Sequence, residues 1–347
     1  MTDALQPTAA RPATLEDVAR VAGVSRSTVS RVVNGVRNVD PAIQETVRQA
    51  VAATGYVPNG AARALVTRRA DTVALIVSGA GETGGDGMLF TDPFFGRVVG
   101  GVLCGLRPPG MHPVLMLADD DASRAQVIAY LRRGSADGAL LVSTHGGDPL
   151  PALLAEAGLP AVLFGRPAAA LPLSYVDLAN HEGARLAADH LAARGCRRVV
   201  TVTGPADLPA GQDRQAGFRE AMARHGRPWS PEAAGDFTRR GGAAAMTRLL
   251  AEHPDLDGVF AANDLMAQGV LAVLREHGRR VPEDVAVIGF DDSSAATAAH
   301  PRLTTVRQPV EEMATRMTTL LLDRIRHPGA APTSVLFEPR LIIRDSA

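Results

Sequence analysis

The apolar positions near the start of the chain predict two short helices joined by a tight turn. Between residues 14 and 34 they recur at helical spacing in two groups, Leu15, Val18, Ala19 and Ala22, and then Val29, Val32 and Val33. Gly23 stands between the groups, where a residue without Cβ adopts positive φ at no steric cost. Ser25 occupies the position of an N-cap for the second helix. This pattern is typical of a helix-turn-helix.

A third helix is predicted directly after this pair. Asp40 is placed to cap it, and Pro41 suits its first turn. Its apolar face would consist of Ile43, Val47, Ala50 and Val51. Gly55 ends the pattern. Residues 14–58 therefore predict a small all-α head.

From residue 72 onward, short continuous apolar runs alternate with helical stretches. The runs are Thr72–Ser78, Pro113–Leu117, Gly138–Ser143, Ala161–Phe164, Arg198–Thr203, Gly258–Ala261 and Val285–Phe290. Such alternation is typical of parallel sheets covered on both faces, and it repeats before and after about residue 165. We therefore expect two doubly wound parallel-sheet α/β lobes. Ligands of such sheets bind at the carboxyl ends of the strands, so two facing lobes predict a cleft.

The charge distribution separates the predicted head from the rest of the chain. Residues 1–70 carry nine Arg against five acidic residues, a net charge of +4, which leaves −5 for the remainder of a chain whose net charge is −1. A small basic head on an acidic body favours a nucleic-acid-binding head with a separate activity behind it. All 36 basic residues are Arg. Cys104 and Cys196 lack metal-ligand spacing, and we expect buried free thiols.

The N-terminal residues predict neither export nor membrane insertion. Residues 1–13 are rich in Ala and Pro and are expected to be disordered. They contain no apolar signal-peptide core, and the chain contains no run of 18 apolar residues. These features predict a cytoplasmic protein without a membrane partner, associated with the nucleoid when it is bound to DNA.

The outward-facing side chains of the second helix suit DNA. They are Arg26, Ser27, Ser30, Arg31 and Asn34. Arg, Ser and Asn donate hydrogen bonds to phosphates and to base edges in the major groove. Arg26 is a candidate for a bidentate contact to guanine, or alternatively it contacts phosphate alone. The alternative for the whole segment is an ordinary helical hairpin with a solvated face.

Several polar groups follow predicted strands and would face the cleft. Arg214 opens a helix, Asn263 follows one strand, and Asp291 follows another. Together they offer donors and acceptors for adjacent hydroxyls, while Phe94, Phe95 and Phe237 offer flat apolar walls, a combination that suits a sugar. The structural alternatives are that Asn263 caps its helix, that Asp291 braces a turn, and that each Phe is plain core.

Other candidate groups are weaker. His145 follows a strand at the cleft and is equally compatible with a structural role. The run Asp119–Asp121 is either a metal site or, more commonly, a charged helix start. The sequence contains no P-loop, no GxSxG and no Gly-rich dinucleotide motif, so we expect no catalytic residues, no metal and no cofactor.

The chain resembles the LacI (lactose repressor) family of transcription regulators over residues 14–345. The resemblance rests on TLEDVARVAGVSRSTVSRVVN, on GYVPN with AARAL, and on the motifs at Gly211–Phe218, Ala261–Gly269, Gly289–Asp292 and Leu303–Pro309. It implies a helix-turn-helix head, a hinge helix and linker at 59–70, and a two-lobed ligand-binding and dimerisation region at 71–345. It places lobe 1 at about 71–164 and 303–329, and lobe 2 at about 165–291 and 332–345, similar to periplasmic sugar-binding proteins.

The resemblance also implies which residues contact DNA. By matching position they are Thr14, Leu15, Ser25, Arg26, Ser27, Thr28, Ser30, Arg31, Asn34, Tyr56, Asn59, Ala62 and Leu65. The stretch from Asn59 to Val66 is too short to form a stable isolated helix, so we expect it to fold in the minor groove only when two copies pair. Leu65 would be its wedge between base steps, or alternatively a linker residue packed on its own lobe.

In the cleft, the resemblance implies effector contacts at Arg214, Asn263 and Asp291, with walls at Phe95 and Phe237. Where some members have an acidic contact, this chain has Gly165 followed by Arg166, and we include Arg166 among the ligand-binding candidates. The local motifs are most similar to actinobacterial repressors for cellobiose and related oligosaccharides, with those for maltose-type sugars next.

The sequence therefore predicts a homodimeric repressor whose affinity for a palindromic operator is controlled by a small sugar. The alternatives are a corepressor-type regulator that senses another metabolite, a pure sugar-binding protein for transport, and a sugar-processing enzyme. The basic head and the missing signal peptide argue against transport, and no positioned catalytic pair supports an enzyme.

Overall fold

The structure is a computed structural model that describes residues 11, 13–34, 38–57, 69–78, 92–142, 146–227 and 230–347. The chain divides into two compact units, Met1–Ala70 and Asp71–Ala347. Four of our predictions lie outside the described residues: those for Asn59, Ala62, Leu65 and His145. Most of residues 1–13, which were predicted to be disordered, and most of the predicted hinge at 59–70 also lie outside the described residues.

The N-terminal unit contains the three predicted helices, α1 (Leu15–Ala22), α2 (Arg26–Val33) and α3 (Pro41–Thr54). Their ends are fixed by the expected residues. Gly23 follows α1 with φ 65°, Ser25 accepts a hydrogen bond from the backbone N–H of Thr28, and Asp40 caps α3. Val18, Val29, Val47 and Ala50 form the buried core of this unit.

The second unit alternates strands and helices. Its strands are β1 (Thr72–Ser78), β2 (His112–Ala118), β3 (Gly138–Val142), β4 (Ala161–Phe164), β5 (Ser174–Leu178), β6 (Val199–Thr203), β7 (Glu232–Ala234), β8 (Gly258–Ala261), β9 (Ala286–Asp291), β10 (Thr304–Arg307), β11 (Ser334–Phe337) and β12 (Arg340–Ile342). Its helices are α4 (Pro93–Leu106), α5 (Asp121–Arg132), α6 (Leu150–Glu156), α7 (Asn180–Ala193), α8 (Pro209–Arg224), α9 (Arg239–Glu252), α10 (Asp264–Glu276), α11 (Ser294–Ala298) and α12 (Val310–Arg326).

These strands form two six-stranded sheets, one in each lobe. The first has the order β11-β5-β4-β3-β1-β2 and is parallel throughout. The second has the order β12-β10-β9-β8-β6-β7, and only its edge strand β12 is antiparallel. Two doubly wound α/β lobes are therefore confirmed. The order of both sheets reverses direction at an internal strand, which is where such sheets bind ligands.

The first crossing between the lobes differs from the expected boundary near residue 165. Strand β5 pairs with β4 in the first sheet, so the chain enters the second lobe only between Leu178 and Asn180. Strand β5 was not predicted, because its polar residues Ser174 and Asp177 interrupt the apolar run that indicates a buried strand. Both are nevertheless buried.

The two later crossings also differ from expectation. Strand β10 pairs with β9 in the second sheet, so the chain returns to the first lobe at Gln308 rather than at about residue 303. Strand β11 pairs with β5 in the first sheet, although residues from 332 onward were expected in the second lobe. Of the two strands that follow α12, β11 and β12, only β12 belongs to the second sheet. The sequence did not predict β11 because it is only four residues long and lies at a sheet edge, where exposed and partly buried positions alternate.

Helices α4 and α12 lie against each other in the first lobe, and two glycines permit their close approach. A Cβ on Gly101 would collide with the backbone carbonyl of Glu311, and a Cβ on Gly105 would lie 2.8 Å from the Thr318 side chain. The start of α12, which directly follows the second crossing, is therefore held against α4. Within the described ranges, no helix is both long and apolar enough to cross a membrane.

Candidate DNA-binding head and effector cleft

The exposed face of α2 carries most of the predicted DNA contacts. Arg26, Ser27 and Arg31 are exposed, and Ser30 and Asn34 are partly exposed. Positions 27, 30, 31 and 34 recur every three or four residues, so they share one side of the helix. Arg26 extends from the N-terminal end of α2 and forms an ion pair with Glu16 at 3.1 Å. DNA would compete for this exposed guanidinium at little cost.

Other predicted contacts have structural roles in the head. Thr14 is the N-cap of α1 and forms a reciprocal capping box with Asp17. Ser25 caps α2, and its hydroxyl lies 2.8 Å from the hydroxyl of Thr28. Leu15 and Tyr56 pack against the buried core. A cap or core role does not remove these residues from a DNA surface, but it means that substituting them also changes the stability of the head.

Arg214 is the centre of the candidate cleft. It lies on α8, which follows β6, and it is only 4 % exposed. Its guanidinium carbon lies 3.7 Å from the centroid of the Phe290 ring. It donates hydrogen bonds to four oxygens: Asn180 Oδ1 at 2.9 Å, the Ala262 carbonyl at 2.6 Å, Asp291 Oδ1 at 3.3 Å and Gln308 Oε1 at 3.1 Å. These acceptors come from four different strand ends, so one cation organises the floor of the site.

Asp291 ends β9 and faces this cation. Its backbone adopts φ 105°, a region that residues with a Cβ rarely occupy. Burial raises the pKa of Asp291 to about 7, an effect that the positive charge of Arg214 opposes. The side chain is 15 % exposed, and within the part of the chain that the structure describes its Oδ2 accepts no hydrogen bond. The carboxyl group therefore retains an acceptor for a ligand.

The neighbouring Asp292 points elsewhere, as expected for adjacent residues at a strand end. It pairs with Arg344 rather than with Arg214. Asp264, at the start of α10, accepts hydrogen bonds from Ser293 and Thr305 and braces the turn after β9. Burial raises the pKa of Asp264 to about 6. Only Asp291 among these three carboxyl groups pairs with the central Arg214.

Asn263 and Phe237 are held together beside Arg214. Asn263 caps α10 by accepting a hydrogen bond from the Met266 backbone N–H at 2.9 Å, and its amide donates to the Phe237 carbonyl at 2.9 Å. Phe237 adopts φ 63°, and its ring centroid lies 5.8 Å from the Arg214 guanidinium carbon. Asn263 therefore caps its helix, which was one of the two roles that the sequence predicted for it. The same contacts fix the orientation of the Phe237 ring at the cleft.

The other two predicted wall residues lie in the first lobe, where both are partly buried and pack against its hydrophobic core. Phe94 and Phe95 begin α4, and the Phe94 ring packs edge-on against both Phe95 and Phe164, with each pair of centroids 5.3 Å apart. Asp92 caps this helix. Burial raises the pKa of Asp92, and the charge of Arg214 opposes that rise, which places the start of α4 within electrostatic range of the second lobe.

Arg166 connects the two lobes at the cleft. One of its guanidinium nitrogens lies 2.9 and 3.1 Å from the carboxylate oxygens of Asp213, the residue before Arg214 on α8. A second contact joins the lobes where the Gly146 backbone N–H donates to the Asp207 carbonyl at 3.0 Å. Arg166 thus carries an interlobe ion pair that the sequence did not predict.

Comparison with known proteins identifies the family. Residues 14–59 match the profile of bacterial regulatory proteins of the lacI family, and residues 188–347 match that of the periplasmic binding protein-like domain. The chain is 46 % identical to the HTH-type transcriptional regulator CelR of Thermobifida fusca over 340 residues, which cover 97 % of this chain and 98 % of that protein. The chain belongs to the lacI family.

Further relatives of this lacI-family chain extend over similar lengths. The ribose operon repressor of Escherichia coli K12 is 33 % identical, covering 96 % of this chain and 100 % of that protein. A solved structure of a CelR–cellobiose complex is 44 % identical with a TM-score of 0.75, covering 97 % and 100 % of the two chains. A lac repressor dimer bound to operator and the anti-inducer ONPF shares the fold, with a TM-score of 0.83 at 24 % identity over 97 % and 99 %. The chain is thus a DNA-binding transcription regulator.

Several residues of the cleft in this lacI-family chain were not predicted from the sequence. Asn180 and Gln308 bind Arg214 directly, and Asp177 accepts hydrogen bonds from the backbone N–H groups of Arg166 and Leu178. Asn180 and Gln308 stand at the first and second crossings between the lobes. Their position at the crossings between the lobes could have indicated that they face the cleft. The sequence did not indicate this, because it placed both crossings at other residues.

Two further expectations concern residues outside the cleft. Asp120 caps α5 and accepts a hydrogen bond from the Ser123 backbone N–H at 2.7 Å, so the acidic run is a helix start. The described segments contain no cluster of three or more His, Cys, Asp or Glu residues that suits a metal ion. Cys196 is buried as expected, but Cys104 is exposed because it lies on the outer face of α4.

Proposed function

We propose that the protein is a transcriptional repressor that binds a palindromic operator as a homodimer and releases it when cellobiose or a related oligosaccharide enters the cleft. The observation that carries this proposal is the Arg214–Asp291 pair, in which one carboxylate oxygen accepts no hydrogen bond from the described residues and lies beside a cation and the Phe237 ring. The similarity to CelR, and the solved CelR–cellobiose complex, support cellobiose as the first sugar to test.

The chemistry of the cleft suits a neutral sugar. A sugar hydroxyl would donate to Asp291 Oδ2 and accept from the remaining N–H of Arg214, because a carboxylate only accepts hydrogen bonds and a guanidinium only donates them. The ring of Phe237 would lie against the apolar face of the pyranose. Phe94 and Phe95, at the start of α4, would provide the opposite wall from the first lobe.

Dimerisation is supported by an apolar surface on the first lobe. Leu103 on α4 is 45 % exposed, and Leu115 and Leu117 on the edge strand β2 are 45 % and 39 % exposed. Soluble monomers rarely expose large apolar patches, and such patches usually mark surfaces where proteins associate. A dimer would place two α2 helices on the two halves of a palindrome.

The contacts between the lobes suggest how the sugar acts on DNA. The Arg166–Asp213 pair and the Gly146–Asp207 hydrogen bond cross the cleft, so a ligand that changes them changes the angle between the lobes. That rotation would separate the two hinge segments and withdraw the Leu65 wedge. Coupling of this kind is reciprocal, so operator binding must weaken sugar binding by the same factor.

We further propose that the protein acts in the cytoplasm, on the nucleoid when bound to its operator, and that it is neither an enzyme nor dependent on a cofactor. Its relatives are transcription regulators. Incubation of the protein with cellobiose, followed by an assay for released glucose, tests whether the protein is an enzyme that hydrolyses the sugar. Formation of glucose at a rate that scales with protein concentration would contradict it.

Isothermal titration with cellobiose, maltose, ribose and a purine base tests the choice of effector. We expect cellobiose to bind, and Asp291→Asn to weaken binding roughly 10-fold or more because a charged acceptor is lost. Asp292→Asn is the matched control, since its carboxylate pairs with Arg344 outside the Arg214 cluster. Tight binding of the purine instead would favour a corepressor, a possibility supported by 31 % identity to the purine repressor PurR of Escherichia coli O139:H28 over 96 % of both chains.

A further inference from the structure

Arg97 links the two lobes beside the Arg214–Asp291 pair. It lies on α4 of the first lobe, and its side chain is 16 % exposed. One terminal nitrogen donates to the Asp291 carbonyl at 3.0 Å, and the other donates to the Gln308 carbonyl at 2.9 Å. Both acceptors belong to the floor of the cleft. One residue of the first lobe therefore holds the backbone of two residues that surround Arg214.

Two further N–H groups of Arg97 bind a residue of its own lobe. Its Nε and Nη2 lie 2.8 and 2.9 Å from the two carboxylate oxygens of Glu311, in the first turn of α12. This geometry depends on Gly101, one helical turn after Arg97, which lets the backbone of Glu311 approach α4 closely. Glu311 thus neutralises and orients a guanidinium that would otherwise be buried alone.

The contact with the Asp291 carbonyl matters because of the Asp291 backbone. A residue with a Cβ at φ 105° persists only where its surroundings hold it. Arg97 donates to the carbonyl of Asp291 at 3.0 Å, the Gln308 backbone N–H donates to the same oxygen at a longer 3.4 Å, and Arg214 holds the Asp291 carboxylate. If the carbonyl were released, the peptide could relax to negative φ, and the carboxylate would turn away from the cation.

We propose that Arg97 is a positioning residue for effector binding, which acts through Asp291 by fixing the backbone that presents the Asp291 carboxylate to the ligand. This inference rests on the proposed function, in which that carboxylate accepts a sugar hydroxyl. Arg97 itself need not touch the sugar.

The test is titration of cellobiose into the full-length protein carrying Arg97→Ala, Arg97→Lys or, as control, Arg107→Ala. Arg107 is an exposed arginine at the end of the same helix. We expect Arg97→Ala to raise the dissociation constant roughly 10- to 100-fold, the range for one lost hydrogen bond from a charged donor. Arg97→Lys should recover part of this, because an ammonium reaches a carbonyl but cannot also hold Glu311 in two places. Arg107→Ala should bind as the wild type does.

The pH profile of binding separates positioning from general destabilisation. Asp291 is faced by Arg214 and Arg97, which lower its pKa, and by Asp264 and Asp92, which raise it. Without Arg97, the midpoint at which sugar binding is gained with rising pH should move upward. Unchanged sugar affinity in Arg97→Ala would overturn the proposal. Weaker binding with an unmoved pH midpoint would also overturn it.

If the wild type binds none of the sugars, the proposed function has failed, and hydrogen exchange of the ligand-free proteins then judges Arg97. Faster exchange of the amides around Asp291 and Gln308 in Arg97→Ala than in Arg107→Ala would support the positioning role. Equal exchange in the two variants would overturn it. Exchange in β3, which lies in the core of the first sheet, should be the same in both variants and serves as the folding control.

Discussion

Replacing Arg214 by Met should strongly destabilise the unit formed by residues 71–347. The substitution removes a guanidinium that is 4 % exposed and that donates to four oxygens. Met fills similar space, so the loss is chiefly electrostatic. Removal of one partner from a buried ion pair costs about 3–5 kcal/mol, because the other charge is left without compensation.

The loss of unfolding free energy in Arg214→Met should depend on pH, and the raised pKa of Asp291 determines whether the loss grows or shrinks as pH rises. Since the folded-state pKa is about 7 and the usual value is 3.8, the folded protein binds this proton more tightly than the unfolded chain does. Its contribution to stability is complete below pH 3.8 and is lost as pH rises to about 7. Without Arg214 the pKa rises further, so the variant continues to lose stability above pH 7. The penalty should therefore be about 1 kcal/mol larger at pH 8 than at pH 6.

Urea unfolding followed by circular dichroism at both pH values measures this, with Arg224→Met as the matched control. Arg224 lies on the same helix and is exposed, so its replacement should change stability by less than about 0.5 kcal/mol. Addition of Asp291→Asn to Arg214→Met should recover the pH-dependent part. A penalty below about 1 kcal/mol, or one that shrinks as pH rises, would refute the electrostatic account of the cleft.

Three further predictions follow from the structure. Cellobiose affinity should be roughly tenfold lower at pH 6 than at pH 8, because only ionised Asp291, with a pKa of about 7, accepts fully, and calorimetry on Asp291→Asn should give a flat profile. Gly217→Ala should cost about 1–3 kcal/mol in urea unfolding, because its Cβ would collide with the His181 carbonyl, whereas Gly100→Ala meets open space and should be neutral or stabilising. Arg26→Ala should weaken operator binding by about 1–3 kcal/mol and relax preference at one base pair, whereas a uniform loss across operator variants would indicate a phosphate contact.

The head was predictable from sequence because its determinants are local. The turn at Gly23, the cap at Ser25 and the core position of Val29 each depend on residues within a few positions along the chain. Within the described residues, the apolar runs identified seven of the twelve strands for a similar reason, since most of these seven are buried on both faces and carry their signal in their own residues.

The parts that escaped prediction depend on contacts between distant segments. The edge strand β11 is only four residues long, and β5 contains two buried polar residues, so neither strand was predicted and the crossings between the lobes were assigned to the wrong residues. Gln308 and Arg97 are 211 positions apart, and only the folded chain shows that one holds the other. The cleft residues Arg214 and Asp291 were found because each follows an apolar run, whereas Gln308 follows a strand that the sequence did not reveal.

The central claim is that a sugar in the cleft controls the affinity of the head for DNA. Fluorescence anisotropy on a labelled palindromic fragment from the protein's own promoter region tests it most directly, with and without saturating cellobiose and with Asp291→Asn as the unresponsive control. We predict that cellobiose lowers operator affinity by a factor of roughly 5–150 in the wild type and has little effect in the variant. An operator affinity that cellobiose leaves unchanged, or raises, would contradict the account.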